Sequence, residues 1–410
     1  MTFLHRLAVA VLLLGLGGCA NFARLPPPAP QESVQTAMLG VPNARFMADG
    51  DAAAWEREAA TALTRRLAAE APARGAALRP AHYLALSGGG DNGAFGAGLL
   101  AGWTEAGTRP EFDVVTGISA GALIAPFAFL GPAYDAQLRA VFAEVAPTDI
   151  VVFGRILTSV LFGEALADTS PLYRLIARHA DQAMLDAIAR EYRRGRLLLI
   201  GTTNLDIRRP VVWNIGAIAA SGHPDALELF RDVLLASASV PGAFPPVFVD
   251  VEIGGRRFQE MHVDGGAATQ VFLYPPSLDL RQAAAAAGAP RQRTAWVVRN
   301  GRIDVESAPT DRNVFRIARR SVETLLHFSG IADIHRIYLT MHRDGVAFRL
   351  AAIGPGFQAP RDQPFDPRYM RALFDYGQAQ GRSGAAWVDR PPPVGILVPE
   401  EQPGREAALR

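Results

Sequence analysis

Residues 114–123, Val-Val-Thr-Gly-Ile-Ser-Ala-Gly-Ala-Leu, run a short apolar segment into a turn with glycine two residues either side of one serine. Bulky β-branched residues in a short run predict a buried strand, and the stretch from about Ala120 predicts a helix. A chain that passes from strand to helix this fast needs a sharp turn. Glycines at 117 and 121 remove the Cβ atoms that would collide where the two elements meet. The same grammar appears upstream, where the β-prone run 82–87 breaks into Gly88-Gly89-Gly90 and a helical stretch follows over 94–106. A third corner closes the run 258–263 with Asp264-Gly265-Gly266.

Further apolar runs at 197–201, 211–215 and 295–299 predict strands; 230–238 and 313–334 predict helices. Residues 52–71 place Trp55, Ala59, Leu63 and Leu67 at four-residue spacing, the signature of an amphipathic helix. Strands that alternate with helices and are near-continuously apolar predict an α/β fold with a mostly parallel central sheet. In such sheets chemistry gathers beyond the carboxyl ends of the strands. The turns 88–93, 117–121 and 264–266 all fall at that edge. With no internal repeat, one domain over 81–390 is expected. Its helical segment 132–195 is a candidate cap, and 391–410, opening on Pro391-Pro392-Pro393, is an irregular tail.

The 410 residues, 49% of them hydrophobic, suffice for a large core. The 41 basic residues, all arginine, nearly balance the 40 acidic ones and form no block, which argues against a nucleic-acid partner. A glycine loop without lysine excludes Walker-type phosphate binding. The spacing Gly88-x-Gly90-x-x-Gly93 matches a dinucleotide fingerprint, yet no strand ending in an acid follows about twenty residues on. The single cysteine, Cys19, excludes an intrachain disulfide and a cysteine zinc site. It ends a leader with Arg6, an apolar core over 7–16 and Leu16-Gly17-Gly18. That core is too short to span a bilayer and reads as a signal peptide. Leu16-Gly17-Gly18-Cys19 resembles the bacterial lipobox. The resemblance implies a signal peptide over 1–18, a lipidated Cys19 that anchors the chain to a membrane, and, with Ala20 next, sorting to the outer membrane. An ordinary secreted protein is the alternative. A proline-rich tether and the first helix fill the rest of 19–80.

Three elements carry chemistry. Ser119 sits in a nucleophile-elbow pattern, where a strained turn exposes the hydroxyl at a helix N-terminus; the alternative is a small residue filling a tight turn. The loop Ser87-Gly88-Gly89-Gly90-Asp91-Asn92-Gly93 exposes consecutive backbone N–H groups, a nest for an oxyanion or a phosphate. Asp264 ends a strand where it can be aimed at a neighbouring strand's serine, although Asp-Gly is also a common hairpin turn.

In this order the motifs resemble the patatin-like phospholipase family. The match comprises Gly88-Gly89-Gly90-x-x-Gly93, Gly117-x-Ser119-x-Gly121 and Asp264-Gly265-Gly266. It is extended by the stretch from Ala236 through Ser237, Ser239, Pro241 and Gly242 to Pro246, and by Gly201-Thr202-Thr203-Asn204-Leu205-Asp206. The resemblance implies a three-layer α/β/α fold and hydrolysis of fatty-acyl esters in lipids. It implies Ser119 and Asp264 as a catalytic dyad and an oxyanion hole at Gly88, Gly89, Gly90 and Asp91, with no cofactor and no metal. Two departures stand out. Asn92 occupies a place where the family often has a cation, and Ala267-Ala268-Thr269-Gln270-Val271 replaces its Asn and Pro after the base.

A histidine relay competes with the dyad, from His223, His262, His327 or His335; His262, two before Asp264, shares its strand face. Leu123, Ile124, Phe127 and Phe129 either pack the elbow helix or line an acyl pocket. Phe153, Leu157, Val160, Leu161 and Phe162 are candidates for a pocket or a membrane contact. A non-enzymatic lipid-binding or envelope-scaffold lipoprotein with an elbow-like turn is the competing class.

Overall fold

The computed structural model describes residues 24–50, 52–70, 79–145, 147–150, 152–153, 167–286, 291–304 and 309–392. The leader, Cys19, the cap residues 157–162, the side chain of Phe153 and the tail from 393 lie outside the described residues.

One sheet of nine strands organises the chain: β1 (Arg45–Met47), β2 (Ala81–Leu86), β3 (Val114–Ile118), β4 (Leu197–Asn204), β5 (Arg209–Asn214), β6 (Val247–Ile253), β7 (Arg256–Asp264), β8 (Arg293–Arg302) and β9 (Ala347–Ile353). The order is β1-β5-β4-β3-β2-β8-β9, with β7 pairing β4 and β6. The five strands β4, β3, β2, β8 and β9 are mutually parallel. Parallel neighbours need long crossovers, which helices supply here. Within this sheet, antiparallel strand pairing lies on the flank made by β1, β5, β6 and β7.

The principal helices are α1 (Ala52–Glu70), α2 (Gly93–Glu105), α3 (Ala120–Leu130), α4 (Asp135–Ala143), α5 (Ser170–His179), α6 (Gln182–Arg193), α7 (Ala226–Ala238), α8 (Val314–Asp344) and α9 (Pro367–Ser383). Side-chain alternation along the strands sorts them into layers. Leu84 and Leu86 face a core shared with α2, α3, α7 and α9. Tyr83 and Ala85 point the other way, to Ile334, Ile337 and Met341 of α8. On the α8 side of the sheet's far end, Trp55 and Ala62 of α1 pack with Leu197 and Leu199. The α/β/α architecture expected from the sequence is therefore present. Helices α4, α5 and α6, within 132–195, contribute Leu138, Leu175 and Ile188 to the first core.

One helix contact bears directly on the site. Gly98 and Gly102 of α2 face Gly377 and Gly381 of α9 so closely that a Cβ at any of the four would overlap backbone of the other helix. Small residues four apart permit such contact because nothing projects between the two backbones.

Candidate active site

Strand register brings two corners together. β3 runs parallel to β4 until Ile118 lies opposite Gly201. On the same edge of β4, β7 arrives from the opposite direction and places Asp264 opposite Thr202. The carboxyl ends of β3 and β7 thus meet head to head, and Ser119 is the first residue past that junction. Ser119 has φ 54° and ψ −124° and caps α3. A non-glycine residue in this region costs on the order of 1–3 kcal/mol, a strain that collects at functional sites. Gly117 and Gly121 abut there with no room for a Cβ on either.

A clamp holds the junction from α7. The Ser119 N–H donates to Ser237 Oγ at 3.0 Å, and Ser237 Oγ donates to the Gly201 carbonyl at 2.7 Å. Two residues on, the Ser239 carbonyl accepts from Asp264 N–H at 2.9 Å. The serine-rich segment picked out in the sequence therefore fixes both corners from one short stretch. That role for Ser237 was not legible there.

Asp264 is 4% exposed. Its Oδ1 accepts from the Gly266 N–H at 2.6 Å. Its Oδ2 is buried, with no hydrogen bond of normal geometry among the described residues. Burial raises the carboxyl to about 6, and the Ser119 hydroxyl beside it, with the Gly266 N–H, works against that rise. The result is a carboxylate, charged at neutral pH, whose basicity is higher than a solvated aspartate's and whose neighbour is an elbow serine.

The glycine loop lies against the same hydroxyl, since a Cβ on Gly88 would stand 3.2 Å from the Ser119 Cβ. The Gly88 N–H is already committed to the Gln270 carbonyl at 3.0 Å, so Gly88 is a hinge of the loop rather than an oxyanion donor. Asp91 turns its carboxyl to the 361–366 loop, accepting from Phe365 N at 3.1 Å and pairing with Arg361 at 2.8 Å. Burial raises its proton affinity, against the pull of Arg361 and of backbone N–H groups that include its own. The expected four-residue nest thus narrows to Gly89 and Gly90, whose amides have no acceptor among the described residues. Two buried side chains that the sequence reading missed shape this loop. Asn300, at the end of β8, bonds the Ser87 carbonyl and hydroxyl at 2.8 Å each, and its own carbonyl blocks any Cβ at Gly89. Gln270 bridges to the loop after Asp264 by donating to the Gly266 carbonyl at 2.8 Å. Gly93 opens α2 and is buried; Gly265 begins the tight turn after the aspartate.

His262 is fully buried and both its ring nitrogens are taken. Because Nε2 faces the acceptor-only Glu260 carboxylate, the neutral ring carries its proton there, and Nδ1 accepts from the Thr202 hydroxyl at 3.0 Å, whose oxygen in turn accepts from Trp213 Nε1 at 2.8 Å. Nε2–H then donates to Glu260 at 3.1 Å, which Arg45 pairs at 2.5 Å. Burial lowers the affinity of this imidazole for a second proton, although Glu260 opposes that. The ring is a neutral structural link between β7, β5 and β1, and neither nitrogen is free for Ser119. His223 lies in a surface turn, and His327 and His335 are on α8.

Residues 84–275 match the sequence model of the family described as patatin-like phospholipase. The chain carries a patatin-like domain. All three corners fall inside that match. Similar solved structures include VipD from Legionella pneumophila at 12% identity and TM-score 0.31, covering 76% of this chain and 68% of that one. The type III effector ExoU stands at 16% and 0.27, covering 75% and 53%, and human GIVD cytosolic phospholipase A2 at 11% and 0.29, covering 76% and 52%. The chain spans about half the length of the last two. A search of curated proteins returned no match. Much of the brace around the patatin-like domain's glycine loop comes from beyond the matched stretch: Asn300, Arg361, Phe365 and Tyr369, whose hydroxyl bonds Asn92 at 2.7 Å. One turn past Ser119, Leu123, Pro126 and Phe127 of α3 line a narrow apolar cavity of about 30 Å³ with Leu172, Ile176 and Met184.

Proposed function

We propose that the protein is a serine acyl hydrolase acting on fatty-acyl esters of lipids. The observation that carries this reading is the pairing of a strained elbow serine with a buried carboxyl raised to about 6 by its surroundings. Ser119 Oγ attacks the ester carbonyl while Asp264 takes its proton. The N–H groups of Gly89 and Gly90 stabilise the oxyanion, aided by the α3 N-terminus. Asp264 returns the proton to the departing alcohol. It then takes a proton from water as that water attacks the acyl-enzyme, and Ser119 leaves reprotonated. Donors held by Asn300 and Gln270 need no rearrangement when charge develops, which is what makes such a hole effective. The acyl chain extends along α3 towards the apolar cavity lined by Leu123 and Phe127. Cys19 is the lipidated N-terminus that tethers the enzyme to the outer membrane; loss of the diacylglyceryl mass in a Cys19→Ser variant tests this.

A fluorophosphonate probe tests the reaction. Labelling of the folded protein, abolished in Ser119→Ala and accompanied by hydrolysis of a phospholipid or short acyl ester, is the expected result. Folded protein that neither labels nor hydrolyses any ester would assign it to a lipid-binding scaffold instead.

A further inference from the structure

Helix α8 is two objects in one. From Ile334 onward it packs against the sheet through Ile334, Ile337 and Met341. Its first half projects from the protein. Val314, Leu325 and Phe328 are 71%, 70% and 63% exposed, and Ile317 and Val322 are also open to solvent. At 3.6 residues per turn these five side chains fall within an arc of about 140°. Arg316, Arg319, Arg320 and Glu323 occupy the opposite arc. Apolar residues exposed singly need no explanation, but one continuous helical face does.

We propose that residues 314–328 of α8 lie in the surface of an anionic lipid bilayer, apolar arc inward. The chemistry fits that occupant. A helix with bulky aliphatics and phenylalanine on one face and arginines on the other is the pattern that settles at the boundary between headgroups and acyl chains. Four arginines, Arg312, Arg316, Arg319 and Arg320, stand against only Asp311 and Glu323 over this segment, giving an excess of positive charge that suits anionic headgroups. Arg316 pairs with Asp311 at 2.5 Å, and Arg319 and Arg320 share Glu323 at 3.3 and 3.6 Å, so the cations lie along the helix rather than being drawn into the core. The length is sufficient, since fifteen residues make a cylinder about 22 Å long. No helix among the described residues is long and apolar enough to cross a membrane, so the contact is superficial.

The docked helix is coupled to the base loop. Asp333, on the buried half of α8, accepts from the N–H groups of Gln270 at 2.6 Å and Val271 at 3.4 Å, six and seven residues after Asp264. A helix seated on lipid therefore holds the Asp264 corner close to the surface from which a lipid ester would come. That last use rests on the hydrolase reading; the docking does not.

Vesicle co-sedimentation tests the proposal with the full chain carrying Cys19→Ser, so that no acyl chain at residue 19 contributes. The probes are vesicles of phosphatidylcholine with and without phosphatidylglycerol. The expected result is stronger partition onto the anionic vesicles, reduced at least about tenfold by Leu325→Glu with Phe328→Glu. These positions are exposed, so the melting temperature and any hydrolysis of a water-soluble short-chain ester stay unchanged. An unreduced partition of that variant overturns the proposal. So does a protein that ignores both vesicles, or one that forms a dimer dependent on Leu325 and Phe328 without binding lipid. If no ester is hydrolysed yet partition still depends on the two residues, the hydrolase reading falls and the docking stands.

Discussion

Replacing Asp264 by Asn should make the protein more stable and stop it working. A carboxyl raised from 3.8 to about 6 in the fold takes up a proton more readily there than in the unfolded chain. Its contribution to stability is complete below the ordinary value and is lost as pH climbs through about 6. Keeping it charged at pH 8 therefore costs the fold about 3 kcal/mol. Asn has the same shape and still accepts from the Gly266 N–H, and its amide has the Ser119 oxygen beside it. We expect Asp264→Asn to melt about 5 °C above the native protein at pH 8, with the gap closing towards pH 4. Thermal melts of the two proteins across that range, with ester hydrolysis followed in parallel, give the answer. A variant that is less stable at pH 8, or a gap indifferent to pH, would refute a buried carboxylate strained by desolvation. Full hydrolysis by the variant would remove Asp264 from the chemistry.

The remaining predictions concern neighbours of this pair. Because the base must be deprotonated, kcat/KM should rise with pH through about 6 and level off above about 7; a flat profile across that interval excludes Asp264 as the base. Changing His262 to Gln should lower the melting temperature by several degrees, because the buried chain from Trp213 to Arg45 breaks. Fluorophosphonate labelling of the folded fraction should persist, however, and loss matching that of Ser119→Ala would make the histidine a relay. Ser237→Ala should slow labelling about tenfold or more while leaving the pH limb in place, since it frees the Ser119 amide and not the base. Enlarging Leu123 to Trp should shift preference towards shorter acyl chains, read from a chain-length series of esters.

The strands ending at the first two corners were legible because each is an apolar run stopped by glycine, and the third because an alternating run meets Asp264-Gly265-Gly266. The sequence also carries the partnership of the Ser119 and Asp264 corners, in the order of its motifs. What it hides is support from far along the chain. Strand β9 is an apolar run between Gly345 and Gly354-Pro355-Gly356 and had a local signal, whereas α9 presents Arg368, Asp375 and Gln378 beside its buried Phe374. Strand β6 does have a local signal, Gly254-Gly255 between two alternating runs, which marks a hairpin rather than a strand-to-helix unit. Asn300 and Gln270 act through backbone groups more than 200 and 180 residues away respectively. Such contacts leave no periodic trace, although a polar residue ending an apolar strand, as Asn300 ends β8, is the kind of position that repays attention in this fold class. The Gly88 amide illustrates the converse limit: three glycines in a row predict a nest, yet only the partner of each N–H decides which are free.

The meshed glycines of α2 and α9 carry a lesson about where this molecule can be cut. Helix α2 starts immediately after the loop that would cradle the oxyanion, so its axis sets the aim of those amides. That axis is set in turn by a ball-and-socket fit with a segment nearly three hundred residues downstream. A fragment trimmed to the stretch recognisable as patatin-like would keep Ser119, Asp264 and the glycine loop and lose the backstop. A shortened chain is best bounded by the last residue that steadies the loop, at the end of α9, and not by the last residue of the motif.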